Sequence, residues 1–388
     1  MALERKIAVV TSSRADYGHL YWVLKELQAR RDVRLTIIAL GPHLSPEFGH
    51  TLDEIERDGF IVGERIECLL SSDTDVGMAK TTGIATMSLA DILGRLRPDL
   101  LLLIADRYEM LAPAAVAVAL RIPIAHIEGG EISEGAIDDA VRNALTKMSH
   151  LHFTTTESAR RRVLAMGEEE WRVHRVGAPS LDHLRRRTLL TREQVEAELN
   201  IKLDQQTIMA AYHPVTLEPD TTAEASAFFA ALERLPQQII LSFPNADAGS
   251  RALIRRAQKF CDERVNAHLF INLGSLKYWS LLKEVDLLVG NSSSGIMETA
   301  SLKKPAVNIG IRQQGREHGR NVLDAAPDAD SILDCIRRAL DPEFITSLDG
   351  LSNPYGDGHA SERIAGILTS VALGQQLLIK RAAILKDD

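Results

Sequence analysis

In the first 155 residues of the chain, apolar residues come in short unbroken runs: "KIAVVTS", "VRLTIIAL", "DLLLLIA", "IPIAHI" and "HLHFTT". Stretches of helical spacing separate them. The pattern resumes at Thr207 with "TIMAAY", "QIILSF", "AHLFIN", "DLLVGN" and "PAVNIG". A strand that is apolar at every position has no face to offer water, so it belongs in a parallel sheet covered by helices on both sides. The expected class is α/β, with doubly wound parallel sheets.

The runs pause twice. Between about residues 177 and 206 the chain is polar and helical, which puts a domain junction there: a first Rossmann-like lobe over 1–180 and a second over 181–355. After Asn353 a loop leads into an amphipathic helix within 356–388, where Gly366 and Gly374 weigh against a single unbroken rod and which is expected to pack back on the first lobe. A chain of 388 residues with 45% apolar composition is long for one core and suits two.

Charge and cysteine usage narrow the function classes. A formal net charge of -8 disfavours a nucleic-acid binder, which usually carries a basic face. Cys68, Cys261 and Cys335 are far apart, with neither metal-binding spacing nor an even count, as in a reducing compartment. The amino terminus runs from Glu4, Arg5 and Lys6 straight into a strand. The weakly polar stretch "LAPAAVAVAL" ends at Arg121, well short of the ~20 residues a bilayer requires. A soluble cytoplasmic protein is expected.

In open α/β sheets, ligands sit beyond the carboxyl ends of strands. In the first lobe those ends carry Arg14 and Asp16, His43, Asp106 and Arg107, and then His126, Glu128 and Glu131. Any one acidic residue there has a plain explanation as a helix cap; four such turns in one lobe point to chemistry. Gly129 and Gly130 allow a ligand or another chain segment to approach closely. The helix that follows is read with Ile137, Val141, Ala144, Leu145 and Met148 as its buried stripe and Asp138, Asp139 and Arg142 off it, the plain reading of Asp138 with Arg142 being an exposed i,i+4 ion pair. Crowded carboxylates perturb one another's pKa values, which suits general acid–base work.

Strand ends in the second lobe have a different character. His213 follows one strand, and Asn291, Ser292, Ser293, Ser294 and Gly295 open a helix, where backbone N–H groups and the helix dipole favour an anion. The competing reading is a serine cap with no ligand. Glu298, expected in the first helical turn, is placed to accept from a diol such as a ribose, and Arg312 and Arg316 lie in a Gly-punctuated loop suited to a diphosphate. One lobe grips a phosphorylated handle and the other carries acids and bases, so a nucleotide-sugar is the expected ligand.

The stretches "SSRADYGHL", "ALGPHLSPEFG", "ADRYEM", "HIEGGEISEGAIDDAVRNALTKMSHLHF", "HPVT", "GNSSSGIMETA" and "IGIRQQGREHGRNVL" run in order over roughly residues 6 to 325. Together they resemble the hydrolysing UDP-N-acetylglucosamine 2-epimerases. The resemblance implies a GT-B fold and catalysis without metal or nicotinamide cofactor. It also implies a homodimer or homotetramer, with no nucleic-acid or membrane partner. Its catalytic carboxylates would fall on Asp106, Glu128 and either Asp138 or Asp139, with Glu131 close by; its nucleotide contacts would fall on Arg14, His213, Ser292, Ser293 and Glu298. "SSRADYG" stands where non-hydrolysing relatives carry a "GTRPE"-like stretch, which favours hydrolysis.

The implied reaction converts UDP-N-acetylglucosamine to N-acetylmannosamine and UDP through a 2-acetamidoglucal. The same chemistry on UDP- or GDP-linked 2,4-diacetamido-2,4,6-trideoxyglucose is the alternative, since these motifs do not separate a C4 hydroxyl from a C4 acetamido group. A GT-B glycosyltransferase and a catalytically silent nucleotide-sugar sensor are the remaining readings. Release of free N-acetylmannosamine with no acceptor would exclude the glycosyltransferase, and UDP release would exclude the silent sensor.

Overall fold

The computed structural model describes residues 4–70, 74–215, 217, 220, 222–242, 250–270 and 273–381. Phe243, Ile271 and Asn272 of the apolar runs, Thr216 of "HPVT" and residues 382–388 lie outside the described residues. The chain divides into two compact units. Unit 1 comprises Met1–Glu131, Ile137–Asp182 and Tyr355–Asp388; unit 2 comprises Ile132–Ala136 and His183–Pro354. The five residues 132–136, expected in the first lobe, belong to unit 2: a Cβ at Gly135 would stand 2.8 Å from the Ile311 backbone, and the loop from Ile311 to Gly315 lies against them.

Unit 1 is built on a seven-stranded sheet whose paired strands are all parallel. Its strands are β1 (Arg5–Thr11), β2 (Val33–Leu40), β3 (Val62–Ile66), β4 (Leu100–Ile104), β5 (Ile124–Ile127), β6 (Leu151–Thr154) and β7 (Val173–Arg175), in the order β3-β2-β1-β4-β5-β6-β7. Ile7, Val9, Leu100 and Leu102 enter one core, while their neighbours Ala8, Val10, Leu101 and Leu103 enter another on the opposite face. Both faces are covered, which is why these strands read as continuous apolar runs.

From Tyr355 onward the chain is part of unit 1. The helix Ala360–Ser370 sends Ile364, Ala365 and Leu368 into the same core as Leu20 and Leu24 of the helix Arg14–Gln28. The Asp182 carboxylate caps it, accepting from the amides of Ala360 at 3.0 Å and Ser361 at 2.9 Å. The helix does not run on as a rod: it ends at Val371, and Gly374, with φ 125°, precedes the turn Gln375–Leu378. Buried Arg172 then donates to the carbonyls of Gln376, Leu377 and Ile379 at 2.8–2.9 Å.

Unit 2 carries a six-stranded parallel sheet of β8 (Thr207–Ala211), β9 (Gln238–Ser242), β10 (Ala267–Phe270), β11 (Leu287–Gly290), β12 (Ala306–Ile309) and β13 (Val322–Ala325), ordered β10-β9-β8-β11-β12-β13. In each unit the strand order reverses beside the first strand, which is where ligands enter doubly wound sheets. Among the described residues no helix is long and apolar enough to cross a membrane, and no group of three or more His, Cys, Asp or Glu side chains is arranged to hold a metal ion.

Candidate active site

Two neighbouring strands of unit 1 end in the same unusual way. β4 passes into Ala105 at φ 58° and β5 into Glu128 at φ 67°, both in the left-handed region that costs a side-chain-bearing residue about 1 kcal/mol or more. Each is held by one further rung of the ladder: the Ala105 amide donates to Ile127 O at 2.9 Å, and the Glu128 amide donates to Phe153 O at 2.8 Å. The two reversals deliver Asp106 and Glu128 at the ends of strands spaced about 4.8 Å apart. His126, fully buried, braces the first reversal by donating from Nε2 to Ala105 O at 2.8 Å. Burial pulls its pKa down to about 4, so it serves as a neutral support.

Arg142 overturns the expected reading of the helix Ile137–Met148. Val141, Arg142, Leu145 and Thr146 are its buried residues, while Ile137, Ala144 and Met148 are only partly covered. Arg142 is 1% exposed and pairs with Asp106 through Nη2; its Nη1 donates to the Glu131 carbonyl at 3.0 Å and lies 3.9 Å from Asp139. Arg142, expected to be exposed, is a buried guanidinium that gathers Asp106, Asp139 and the Glu131 backbone. A charge this deep needs such partners to be tolerated. Asp139 also accepts from Asn143 Nδ2 at 3.1 Å, and both Asp138 and Asp139 are half-buried.

The remaining expected residues of unit 1 separate by environment. Glu128 Oε1 lies 2.6 Å from His19 Nδ1. The Glu131 carboxylate is walled in, accepting from Thr155 Oγ1 and from the Tyr355 hydroxyl at 3.2 Å. Asp16 takes the capping role: Oδ2 accepts from the Ser12 hydroxyl at 2.6 Å and from the amides of Ser12 and Ser13, closing a capping box in front of Arg14, the half-buried first residue of its helix. His43 is fully buried, with Nε2 2.9 Å from Thr11 Oγ1 and Nδ1 2.7 Å from Thr51 Oγ1. Burial, with Arg107 nearby, pulls it down to about 3. With both ring nitrogens taken by threonines, His43 supports the strand ends and does not present itself to a ligand. Arg107 is held by Glu109, donating from Nε to Oε2 at 3.1 Å and from Nη2 to Oε1 at 2.9 Å.

Gly130, at φ 80°, meets chain and not ligand: a Cβ there would stand 2.2 Å from Ala159 O.

In unit 2 the corresponding ends of β8 and β11 are joined by an amide. Asn291 is fully buried; its Oδ1 accepts from the His213 amide at 2.7 Å and its Nδ2 donates to the His213 carbonyl at 2.8 Å. Gly290, at φ 139°, is required here, since a Cβ would fall 1.8 Å from Ala211 O. The Asn291 carbonyl accepts from Arg312 Nη1 at 3.1 Å and Gln313 Nε2 at 3.0 Å, and Arg316 donates to Gln313 Oε1 at 3.0 Å. These bonds bring His213, Asn291, Arg312 and Arg316 into one network.

The serine run is partly committed to internal contacts. The helix it opens, Ser293–Met297, is a single short turn with Ser292 as N-cap, its Oγ accepting from the Ser294 amide at 3.3 Å. Glu298 therefore sits at the C-cap and not in a first turn; it accepts from the Ser294 hydroxyl, which also meets the Tyr278 hydroxyl. Gly295 is a packing position, where a Cβ would approach Leu288 to 2.9 Å. Ser292 and Ser293 remain half-exposed.

Sequence reasoning missed His19, Glu109 and Gln313 and misplaced Arg142. Glu109 and Gln313 stand two and three residues from the arginines they meet, whereas His19 meets Glu128 across 109 positions and left no signal in spacing.

The family model described as UDP-N-acetylglucosamine 2-epimerase matches residues 25–369. A GDP/UDP-N,N'-diacetylbacillosamine 2-epimerase (hydrolyzing) of Campylobacter jejuni is 39% identical over 325 residues, covering 83% of this chain and 84% of its own. A UDP-N,N'-diacetylbacillosamine 2-epimerase (hydrolyzing) of Legionella pneumophila is 37% identical over 377 residues, covering 97% and 98%. Among solved structures, UDP-GlcNAc 2-epimerase from Neisseria meningitidis bound to UDP-GlcNAc superposes with a TM-score of 0.79 at 19% identity, over 94% of this chain and 100% of that one. The two parallel-sheet units are thus of the GT-B type.

Proposed function

This chain belongs to the UDP-N-acetylglucosamine 2-epimerase family, and on that footing we propose that it is a hydrolysing 2-epimerase acting on UDP-linked 2,4-diacetamido-2,4,6-trideoxyglucose. The observation that carries the reaction class is the pair of left-handed strand ends that present Asp106, paired with the buried Arg142, and Glu128, paired with His19. The sugar is chosen over N-acetylglucosamine, the first expectation, because the relatives at 37–39% identity are named for the diacetamido sugar. A Neisseria meningitidis relative named UDP-N-acetylglucosamine 2-epimerase, 30% identical over 339 residues, supports the second reading, the same reaction on UDP-N-acetylglucosamine.

In the first step a carboxylate removes the C2 proton while the C1–O bond breaks and UDP departs, leaving a 2-acetamidoglucal. In the second, water adds its oxygen to C1 and a proton returns to C2 from the opposite face, giving the inverted free sugar. We assign the proton transfers to Asp106, Glu128 and Asp138. Asp139, the next residue of the helix Ile137–Met148 and equally half-buried, is the alternative to Asp138. The charge that develops as UDP leaves is met by cationic and hydroxyl donors. For these we assign His213, Ser292, Ser293 and Arg312 to the diphosphate and Glu298 to the ribose, with no metal required.

The test is turnover in deuterated water with each UDP-sugar in turn, the released sugar identified by NMR. The expected result is free 2,4-diacetamido-2,4,6-trideoxymannose carrying deuterium at C2, with UDP-N-acetylglucosamine consumed far more slowly. A product without label at C2 would exclude proton abstraction there, and preferred turnover of UDP-N-acetylglucosamine would restore the second reading.

A further inference from the structure

His19 has no part in the reaction as assigned, yet its ring is held 2.6 Å from Glu128 by Nδ1. Both partners are fixed from their own elements. His19 stands on the helix Arg14–Gln28, whose start is locked by the Ser13 and Asp16 capping box. Glu128 is aimed by its left-handed backbone, and the next two glycines lie close against their neighbours: a Cβ at Gly129 would lie 2.9 Å from Thr146 Oγ1, and one at Gly130 2.2 Å from Ala159 O. The side chains differ in access to water, His19 being 20% exposed and Glu128 6%. The nearby His126 is committed to Ala105 O and neutral. That leaves His19 as the more solvent-accessible ionisable ring beside this carboxylate.

We propose that His19 is a positioning and proton-exchange partner of Glu128, holding its carboxylate for reaction and compensating each change in its charge. The inference rests on the hydrolytic reading above. When Glu128 takes up a proton from the sugar, the imidazolium releases its Nε2 proton to water; when Glu128 gives a proton up, Nε2 takes one from water. The Nδ1–H···Oε1 contact persists throughout, one proton arrives for each that leaves, and the pair's net charge stays constant. That matters where an uncompensated charge is costly to bury. It also supplies an exit, because hydrolysis frees a phosphate whose second pKa of about 6 leaves a net proton for solvent at neutral pH.

The experiment measures UDP release by full-length His19→Ala and His19→Asn beside the unsubstituted protein. His19→Ala is expected to lower kcat by roughly 10²-fold, the range of one proton-transfer partner, with KM nearly unchanged, and added imidazole should restore much of the loss. His19→Asn keeps a donor near Nδ1 but cannot change charge, so its kcat should stay as low. A His19→Asn variant with undiminished kcat, or a His19→Ala defect that imidazole does not relieve, overturns the proposal. If the unsubstituted protein releases UDP from neither sugar, the reaction reading is what fails. The pairing is then decided by NMR of the unliganded protein: the His19 ring resonances should move on Glu128→Gln, and an unmoved ring overturns the pair.

Discussion

The two sheets share one topology, and their strand ends are built from opposite materials. In unit 1 the chain leaves β4 and β5 through Ala105 and Glu128, side-chain-bearing residues held at positive φ by ladder bonds and by His126. In unit 2 it leaves β11 and β12 through Gly290 and Gly310, for which positive φ carries no steric penalty. Strain stored at a non-glycine residue persists only where the surroundings over-determine it, and such places cluster at reacting groups. The strained ends carry two carboxylates, Asp106 paired with a buried guanidinium and Glu128 with an imidazole. The relaxed ends carry hydroxyls and an amide clamp, to which the proposed function gives the diphosphate.

The sharpest way to break this contrast is Asp106→Asn. It keeps the shape of the group that meets Arg142 and removes the charge. UDP release should fall by at least about 10³-fold, as expected when a proton-transfer group and its ion pair are lost together, while UDP affinity measured by calorimetry changes only a few fold. A loss of UDP affinity as large as the loss of rate would place Asp106 with the gripping groups and dissolve the distinction.

A smaller effect, and of the opposite kind, is expected from Asn291→Ala in unit 2. The substitution removes two side-chain hydrogen bonds to the partly buried His213 backbone, a buried donor or acceptor being worth about 1–3 kcal/mol when left unsatisfied. Stability should fall by about 2–4 kcal/mol and UDP affinity should weaken, with kcat at saturating substrate little altered. A variant with normal affinity and depressed kcat would mean that the clamp positions reacting groups.

How much of this was legible follows the same physics. The central strands stood out because both faces are buried and the runs are apolar throughout. β3, β7 and β13, each at a sheet edge, were not read: they are short, and "VGERI", "VHR" and "VLDA" mix polar residues into them. Acidic strand ends were visible as residue types in turns, and the structure gathers Asp106, Asp139 and the Glu131 backbone around Arg142. Periodicity counts only apolar positions, so it placed Arg142 outside, where the fold buries it on the strength of partners from β4 and the 131 turn. His43 shows the converse: a polar residue at a strand end looks available until Thr11 and Thr51 are seen to take both nitrogens.

The mildest prediction concerns a half-exposed ion pair in unit 2, to be set against the buried pair of Asp106 with Arg142 in unit 1. His318 Nε2 lies 3.3 Å from Asp324 Oδ2, and Asp324 also accepts from Asn308 at 2.8 Å. The hydrogen bond to Asp324 raises the His318 pKa against the opposing effect of burial, and the bond from His318 lowers that of Asp324. A raised histidine contributes stability fully below its ordinary value of 6.5 and loses it as pH climbs through the raised one; a depressed aspartate contributes fully above 3.8 and loses it as pH falls through the depressed one. The pair is therefore at full strength between those values, and solvent screening keeps it below about 1 kcal/mol. Thermal melts at pH 5.5 and pH 8.5 should show His318→Gln with a smaller drop between the two than the unsubstituted protein has, and equal drops would mean that the pair contributes nothing to unit 2.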